Sequence, residues 1–240
     1  MRAAQEAFKT WKHTTPADRQ LMLLKLADAL EKNADALVEA QHRNTGQPRE
    51  MIRDEEVLAG ANQVRFFAGA ARTLKGKAAA EYMEGHTSYV RREPVGVVAQ
   101  VTPWNYPLMM ALWKIGPALA AGNTVVLKPS DTTPESTLEL VKLIADIFPA
   151  GVFNVVLGTG ATGAAMVNHP APAMVSITGS VRAGRAVATG AAAGLKRSHL
   201  ELGSKAPAVV FANADLSRTA RMLADFGYFN AGQEIGRAHV

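Results

Sequence analysis

The alternation of hydrophobic and polar positions predicts helices over about the first 80 residues. Thr15 and Pro16 form a start signal, because a threonine hydroxyl caps first-turn N–H groups and proline fits the first helical position. Apolar residues then recur with helical spacing, and Gly46 is typical of a helix end. The predicted helices cover about residues 16–31, 33–43 and 54–74.

From about position 86 the pattern changes to extended segments, with the clearest strand at residues 95–101. Short apolar runs then alternate with helical stretches. Further strands are predicted at about residues 124–127, 153–157, 174–177 and 208–211. Helices are predicted between them at about residues 107–121, 134–147, 163–168 and 183–193. This alternation predicts an α/β fold: an open parallel sheet with helices on both faces, preceded by N-terminal helices.

Composition fits one large or two small globular domains, since 48% of the 240 residues are hydrophobic and 20% are charged. No apolar run approaches the roughly 18 residues of a membrane helix. The first eight residues lack an apolar signal core, so we expect a cytoplasmic protein without membrane contact.

The charge pattern gives no sign of a nucleic-acid partner. The formal charge of +5 is spread along the chain, and its densest clusters are Arg91-Arg92 and Lys196-Arg197. Both are too short for a nucleic-acid stripe. The six histidines have no metal-ligand spacing, so we expect no metal site.

Two motifs adjoin the strand at 95–101. Asn105 lies between Pro103 and Pro107, a spacing that on its own indicates only a turn. The next helix carries Tyr106, Met109, Met110 and Trp113 at i, i+3, i+4 and i+7. In an arbitrary protein such a stripe would face the core.

Three further segments follow predicted strands. Lys128-Pro129-Ser130-Asp131 ends a strand, where open α/β sheets bind ligands, although such a segment is usually only a turn. Gly158-Thr159-Gly160-Ala161-Thr162-Gly163 matches Gly-x-Gly-x-x-Gly, a weak signal alone. After Thr178-Gly179, Ser180 can begin a helix whose first N–H groups bind an anion.

Three blocks, in this order, resemble the aldehyde dehydrogenase superfamily: Thr102-Pro103-Trp104-Asn105-Tyr106-Pro107, Glu201-Leu202-Gly203 and Phe229-Asn230-Ala231-Gly232-Gln233-Glu234. The match runs from about residue 3 to 234. In that family the third block leads into a nucleophilic cysteine. Here that position is Ile235, and the chain has no cysteine. We therefore expect the chain as written to be inactive, because an isoleucine side chain offers no lone pair.

The resemblance implies roles for two polar residues. Asn105 would supply the side-chain amide of the oxyanion hole, a donor without charge. Glu201 would be the general base that activates the deacylating water. The family usually has glycine where this chain has Ser204, whose side chain would narrow the space in which Glu201 moves.

The resemblance also implies a substrate. The stripe Tyr106, Met109, Met110 and Trp113 would be the wall of the aldehyde tunnel, where aromatic faces attract a substrate ammonium group. Residues 65–72, 84–88 and 107–110 look closest to γ-aminobutyraldehyde dehydrogenases, with betaine aldehyde and succinate semialdehyde dehydrogenases as competitors. We expect an ω-aminoaldehyde such as 4-aminobutanal.

The implied cofactor is NAD. Lys128 would donate to the adenosine ribose and Asp131 would accept from it, and the acidic charge disfavours the 2′-phosphate of NADP. Ser180 would begin the helix that faces the pyrophosphate, whereas the glycine-rich turn would mainly provide packing. The implied cofactor-binding residues are Pro103, Trp104, Lys128, Ser130, Asp131, Gly158, Gly163, Gly179, Ser180, Leu202 and Gly203.

The resemblance predicts an incomplete domain organisation. Residues 1–234 would hold the N-terminal helices and part of the NAD-binding domain, while the rest of the catalytic domain and the oligomerisation segment of a homo-oligomer are absent. Residues 235–240 resemble no family continuation, and we expect a non-native tail. A common sequencing adapter, read with Glu234 as GAG, encodes Ile-Gly-Arg-Ala-His-Val and then a stop.

One alternative stays open: a non-catalytic protein that binds a dinucleotide or a partner chain. The cofactor motifs would permit such binding. Against it, an open sheet ending here leaves strands and apolar helix faces uncovered.

Overall fold

The computed structural model describes residues 1–203, 205–233 and 236–237. The helices are α1 (Arg2–Trp11), α2 (Pro16–Lys32), α3 (Ala34–Thr45), α4 (Arg49–Met51), α5 (Ala59–Thr73), α6 (Pro107–Ala120), α7 (Glu135–Ala145), α8 (Gly160–Asn168), α9 (Val181–Ala193) and α10 (Leu216–Tyr228). The strands are β1 (Lys77–Met83), β2 (His86–Val90), β3 (Val97–Val101), β4 (Thr124–Lys128), β5 (Phe153–Val155), β6 (Pro172–Gly179), β7 (Arg197–Leu202), β8 (Lys205–Ala206) and β9 (Gly236–Arg237). None of these helices has the length and apolar content needed to cross a membrane.

The ends of the first helices follow from local chemistry. The Thr15 hydroxyl accepts from the N–H of Asp18 at 3.2 Å, and the Asp18 carboxylate accepts from the N–H of Thr15 at 3.0 Å. This reciprocal capping begins α2 as predicted. Gly46 ends α3 in the left-handed conformation, with φ of 77°.

The third predicted helix is divided. It begins at α4 and passes through a π-helical segment, Ile52–Leu58, before α5. A π segment widens the helix by one residue per turn and is common at functional sites. Here it places Glu56 inside the protein, with no exposed surface. The helical region also ends earlier than predicted, because β1 begins at Lys77.

The main sheet has five parallel strands in the order β5-β4-β3-β6-β7. Along β4, Val125 and Leu127 enter a core with helices α2, α3, α5, α6 and α7, whereas Val126 enters a second core with α8 and α9. Successive strand residues point to opposite faces, so both faces of the central strands are covered. The predicted fold class is confirmed.

Two smaller pairings lie outside this sheet. Strands β1 and β2 form an antiparallel hairpin. Strands β8 and β9 pair in parallel, which puts Gly236 and Arg237 of the predicted tail opposite Lys205 and Ala206. Positions 235 and 238–240 lie outside the described residues.

The strand predicted at residues 208–211 is wrong. These residues form no strand, and Val209 and Phe211 are 70% and 72% exposed. The edge strand is β7, which lies earlier in the chain. An apolar run becomes a strand only where a neighbouring strand offers backbone partners, and residues 208–211 pair with no strand among the described residues.

Candidate active site

The loop between β3 and α6 holds Asn105, which is 7% exposed. Two side-chain amides donate to the Asn105 backbone carbonyl, Gln47 Nε2 and Asn230 Nδ2, each at 2.9 Å. The backbone of the predicted oxyanion-hole residue is therefore held by Gln47, which precedes α4, and by Asn230. The structure brings Asn105 together with the third sequence block.

The Asn105 amide is directed at that block. Its Nδ2 donates to the carbonyl of Gln233 at 2.7 Å, while its buried Oδ1 has no hydrogen-bond partner among the described residues. Asn230 and Ala231 both have positive φ, 49° and 53°, which strains a residue with a side chain. Glu234 and Ile235, the position of the family nucleophile, lie outside the described residues.

The predicted substrate stripe lines one cavity of about 310 Å³. The cavity is lined by Tyr106, Met109, Met110, Trp113, Lys114, Thr178, His199 and Glu201. Tyr106 and Met110 are buried, and Trp113 is 45% exposed. Glu201, near the end of β7, thus shares a cavity with all four stripe residues, although about 90 positions separate them along the chain.

Lys114 is a polar residue of this cavity that the sequence analysis missed. It is 7% exposed, and its ammonium donates to Ser176 Oγ at 2.9 Å. Ser176 Oγ also hydrogen-bonds His199 Nδ1 at 3.1 Å. Burial lowers the pKa of Lys114 to about 8, and the Glu201 carboxylate opposes that shift. Its position next to the apolar stripe was the only sequence signal.

A second cavity, of about 380 Å³, lies between the carboxyl ends of the strands and helices α8 and α9. Its lining includes Lys128, Gly163 and Arg182, together with apolar residues such as Val101 and Ile177. Arg182 was not predicted. Burial lowers the pKa of Lys128, opposed by the charge of Asp131.

Both helices at this cavity begin with a capped N-terminus. Thr159 Oγ1 accepts from the N–H of Ala161 at 3.4 Å, and Ser180 Oγ accepts from the N–H of Ala183 at 3.2 Å. Ser180 therefore begins α9, as predicted. Gly158 has φ of 141°, and a Cβ there would come within 2.1 Å of Thr162 Oγ1. Glycine is needed at that turn.

The remaining predicted cofactor residues lie around the same strand ends. Trp104 is 50% exposed, and Pro103 precedes it in the β3–α6 loop. Ser130 Oγ hydrogen-bonds Thr132 Oγ1 at 2.9 Å, and Asp131 is exposed beside it. At the end of β7, Leu202 pairs with Gly179, and the N–H of Gly203 donates to the Gly179 carbonyl at 3.1 Å. Ser204 lies outside the described residues.

This structure fits a dinucleotide. Helix N-termini and the cations Lys128 and Arg182 suit phosphate groups, and the apolar wall suits an adenine ring. A Cβ added at Gly163 would lie 3.6 Å from Lys128 Cδ, which is ordinary van der Waals contact. Gly163 therefore lies close to the Lys128 side chain that lines the cavity. Among the described residues, no group of three or more His, Cys, Asp or Glu side chains could hold a metal ion.

Comparison with known proteins agrees with this geometry. The model of the aldehyde dehydrogenase family matches residues 1–235. An aldehyde dehydrogenase of Alternaria alternata is 43% identical over 236 residues, 96% of this chain and 47% of that protein.

Two solved structures are similar throughout the chain. PnpE of Pseudomonas sp. WBC-3, solved with nicotinamide adenine dinucleotide, has a TM-score of 0.93 and 41% identity over 97% of this chain and 48% of that one. A betaine aldehyde dehydrogenase point mutant of Staphylococcus aureus, solved with NAD+ and a BME-modified cysteine, has a TM-score of 0.91 and 35% identity. That match covers 95% of this chain and 47% of the other. The chain thus spans about half the length of the relatives it matches.

Proposed function

The chain belongs to the aldehyde dehydrogenase family, and from that premise we propose that the complete protein oxidises an aldehyde to a carboxylic acid with NAD. One observation carries the proposal. Glu201 shares a cavity with the stripe that begins directly after Asn105, and the cavity lined by Lys128 and Arg182 lies at the carboxyl ends of neighbouring strands. The residues that we propose as general base, substrate wall and cofactor contacts therefore all lie near the carboxyl ends of the strands, which supports the proposal.

The chemistry requires a thiolate, which the chain lacks because it contains no cysteine. In the complete protein a cysteine after Glu234 would add to the aldehyde carbon, and the Asn105 N–H would stabilise the resulting oxyanion. Lys128, Arg182 and the N-terminus of α9 would hold NAD, which would supply the acceptor for the hydride that leaves this carbon. Glu201 would then take a proton from water as the water attacks the thioester and releases the acid and the thiolate.

NAD is favoured over NADP by the residues that follow β4. Asp131 is exposed next to the cofactor cavity and would repel a 2′-phosphate. Arg182, which lines the same cavity, would attract that phosphate, but its side chain also suits the pyrophosphate at the start of α9. We therefore propose NAD as the cofactor that supports turnover.

The substrate that we propose is an ω-aminoaldehyde, with 4-aminobutanal as the test compound. Tyr106 and Trp113 line the substrate cavity, and their ring faces attract an ammonium group. The cavity volume of about 310 Å³ is large enough for a short aminoalkyl chain.

The complete protein, expressed from the extended genomic reading frame, tests these proposals. We expect NADH formation with 4-aminobutanal at a higher kcat/KM than with acetaldehyde or succinate semialdehyde. Asn105→Ala should lower kcat by about 10² to 10³. Trp113→Leu should raise KM for 4-aminobutanal severalfold but leave that for pentanal, which has no charge, nearly unchanged. A better alternative aldehyde rejects only the substrate, whereas absence of NADH with every aldehyde rejects the function.

We also propose that the complete protein is a homo-oligomer. Tyr82 and Tyr89 of the β1–β2 hairpin are 82% and 72% exposed, and such apolar area on an extended hairpin suits a subunit contact. Light scattering after size exclusion tests this, and a monomer would contradict it. The same exposed apolar area counts against the alternative of a free-standing dinucleotide-binding module.

A further inference from the structure

A hydrogen-bonded network connects the N-terminal helices to both sides of Asn105. It consists of Gln41 on α3, Gln47 in the loop after α3, and Glu56 in the π segment. We propose that Gln47 and Glu56 are positioning residues that hold the Asn105 amide at the oxyanion, a role that rests on the proposed function. Neither residue lines the substrate cavity with Glu201.

Gln47 fixes the backbone of Asn105. Its Nε2 donates to the Asn105 carbonyl and to Asn230 Oδ1, both at 2.9 Å. Asn230 Nδ2 is the second donor to that same carbonyl, so both lone pairs of the oxygen are used. The peptide plane after Asn105 therefore cannot rotate without the loss of two hydrogen bonds, which restrains the backbone that carries the Asn105 side chain.

Gln47 is itself held from the other side. Its Oε1 accepts from Gln41 Nε2 at 2.8 Å and from Thr45 Oγ1 at 3.1 Å. Its carbonyl lies 2.7 Å from His42 Nδ1. The amide therefore has a single orientation, with its oxygen toward α3 and its nitrogen toward Asn105.

Glu56 fixes the chain on the other side of Asn105. Its Oε2 accepts from the N–H groups of Leu108 and Met109 at 3.1 and 3.2 Å, and its Oε1 accepts from Gln41. These N–H groups belong to the first turn of α6, where no helical carbonyl is available to them. A fully buried carboxylate thus replaces a conventional cap.

Glu56 reaches α6 from the buried face of the π segment. Ile52, Glu56 and Val57 are all buried there, so the Glu56 side chain points inward together with two core residues. Gln47 therefore holds the backbone of Asn105, two residues before α6. Glu56 holds the first turn of α6, just after Asn105. A donor shifted by a fraction of an ångström stabilises an oxyanion much less, so such a grip has a catalytic consequence.

The test uses paired variants of the complete protein. Gln47→Met keeps the length of the side chain but removes the donor, and should lower kcat about ten- to hundredfold with KM for NAD changed less than twofold. Gln47→Glu puts a carboxylate against the Asn105 carbonyl and should lower kcat further. Glu56→Gln keeps an oxygen for the two N–H groups but puts an amide donor against Gln41 Nε2, so its kcat should fall less than that of Glu56→Met. Glu56→Met should resemble Gln47→Met.

Asn123→Ala is the matched control for lost stability. Asn123 is also buried, at 6% exposure, and its Oδ1 accepts from the N–H groups of Val95 and Gly96 at 2.7 and 3.1 Å. It lies beyond the far end of α6 from Asn105. Its substitution should lower the melting temperature like Gln47→Met but leave kcat within twofold.

A double-mutant cycle separates positioning from a general structural effect. In an Asn105→Ala background, Gln47→Met should cause no further loss of kcat, because its effect passes through the missing amide. Additive losses, or equal losses for Asn123→Ala, would overturn the proposal. If the complete protein is inactive, the proposed function fails, and crystal structures of Gln47→Met and Asn123→Ala still decide the positioning role. Only Gln47→Met should displace the Asn105 amide, and an unmoved amide would overturn it.

Discussion

The central strands β3 and β4 and the edge region after α9 use similar apolar residues, but only the central strands bury them. Val97, Val98, Val125 and Leu127 are each at most 3% exposed. From 194 to 233, Gly232 is the only buried residue among those whose side chains the structure describes.

The exposed residues of the edge region are large. Leu195 is 95% exposed, Leu216 is 71% exposed and Phe226 is 57% exposed. Helix α10 has an apolar face but no buried residue. Because exposed apolar patches of this kind mark surfaces that other chain segments cover, we propose that residues absent from this chain pack on β7 and α10 in the complete protein.

The difference shows which parts of the site the chain can hold by itself. Asn105 lies in the well-packed region and is fixed by the N-terminal helices. Glu201 lies on β7, exposed at the edge of the sheet. The proposed oxyanion donor therefore has its hydrogen-bonding supports within this chain, while the proposed general base lies on an exposed edge strand.

The largest expected effect is complete loss of activity in the 240-residue chain. It has no thiol, so no NADH should form with 4-aminobutanal at any pH. Ile235→Cys alone should not restore turnover, because Glu201 and the edge region stay uncovered. Measurable NADH formation by that single variant would contradict the contrast between the two regions.

The next effect concerns folding. We expect the 240-residue chain to be poorly soluble or partly molten, and hydrogen exchange should be fastest at residues 194–233 and slowest in β3, β4 and α6. The complete protein should protect both regions. A cooperative thermal transition of the 240-residue chain, raised by millimolar NAD, would contradict the instability and support a binding module.

Two leucine substitutions compare the regions directly. Leu112→Ala removes a fully buried side chain of α6 and should lower the free energy of unfolding by about 2–5 kcal/mol wherever unfolding is measurable. Leu223→Ala on α10, 45% exposed, should change it by less than about 0.5 kcal/mol in the 240-residue chain. In the complete protein Leu223→Ala should approach the effect of Leu112→Ala. Denaturant titration of both proteins measures this, and a small effect in both would show that nothing covers α10.

A smaller effect depends on pH and on the well-packed region alone. Burial raises the pKa of Glu56 from 4.5 to about 7. The folded protein therefore keeps a proton that the unfolded chain loses, and stability should fall as pH rises from about 4.5 to about 7. The fall in the free energy of unfolding should be at most about 3.5 kcal/mol, since one pKa unit corresponds to about 1.4 kcal/mol.

Glu56→Gln isolates this contribution, because an amide does not titrate in this range. Denaturant unfolding of the complete protein across that pH range should give a shallower slope for Glu56→Gln than for the unsubstituted protein. Equal slopes would mean that Glu56 ionises normally.

The sequence predicted what local chemistry determines. Thr15 and Pro16 begin α2, Gly46 ends α3, and the alternating runs give the parallel sheet, each from signals within a few residues. The stripe from Tyr106 to Trp113 was recognisable from helical spacing together with the resemblance. These features needed no knowledge of distant contacts.

What the sequence did not predict depends on contacts across the fold. In the sequence Glu56 is one of many glutamates, and only the fold shows that it caps the start of α6, 52 residues later. Lys114 meets Ser176 across 62 residues. Residues 208–211 were predicted as a strand because an exposed apolar run looks the same in the sequence as a buried one. Helix α10 was not predicted.

We propose above that the complete protein oxidises its aldehyde through a cysteine that follows Glu234. Peptide mass spectrometry of the complete protein, acid-quenched during turnover with NAD and 4-aminobutanal, can detect the covalent intermediate. We expect a 4-aminobutanoyl thioester on the peptide that contains Gln233 and that cysteine, and more of it in Glu201→Gln because deacylation slows. NADH formation with an unmodified peptide, or a genomic codon other than cysteine at that position, would show that the oxidation does not pass through this cysteine.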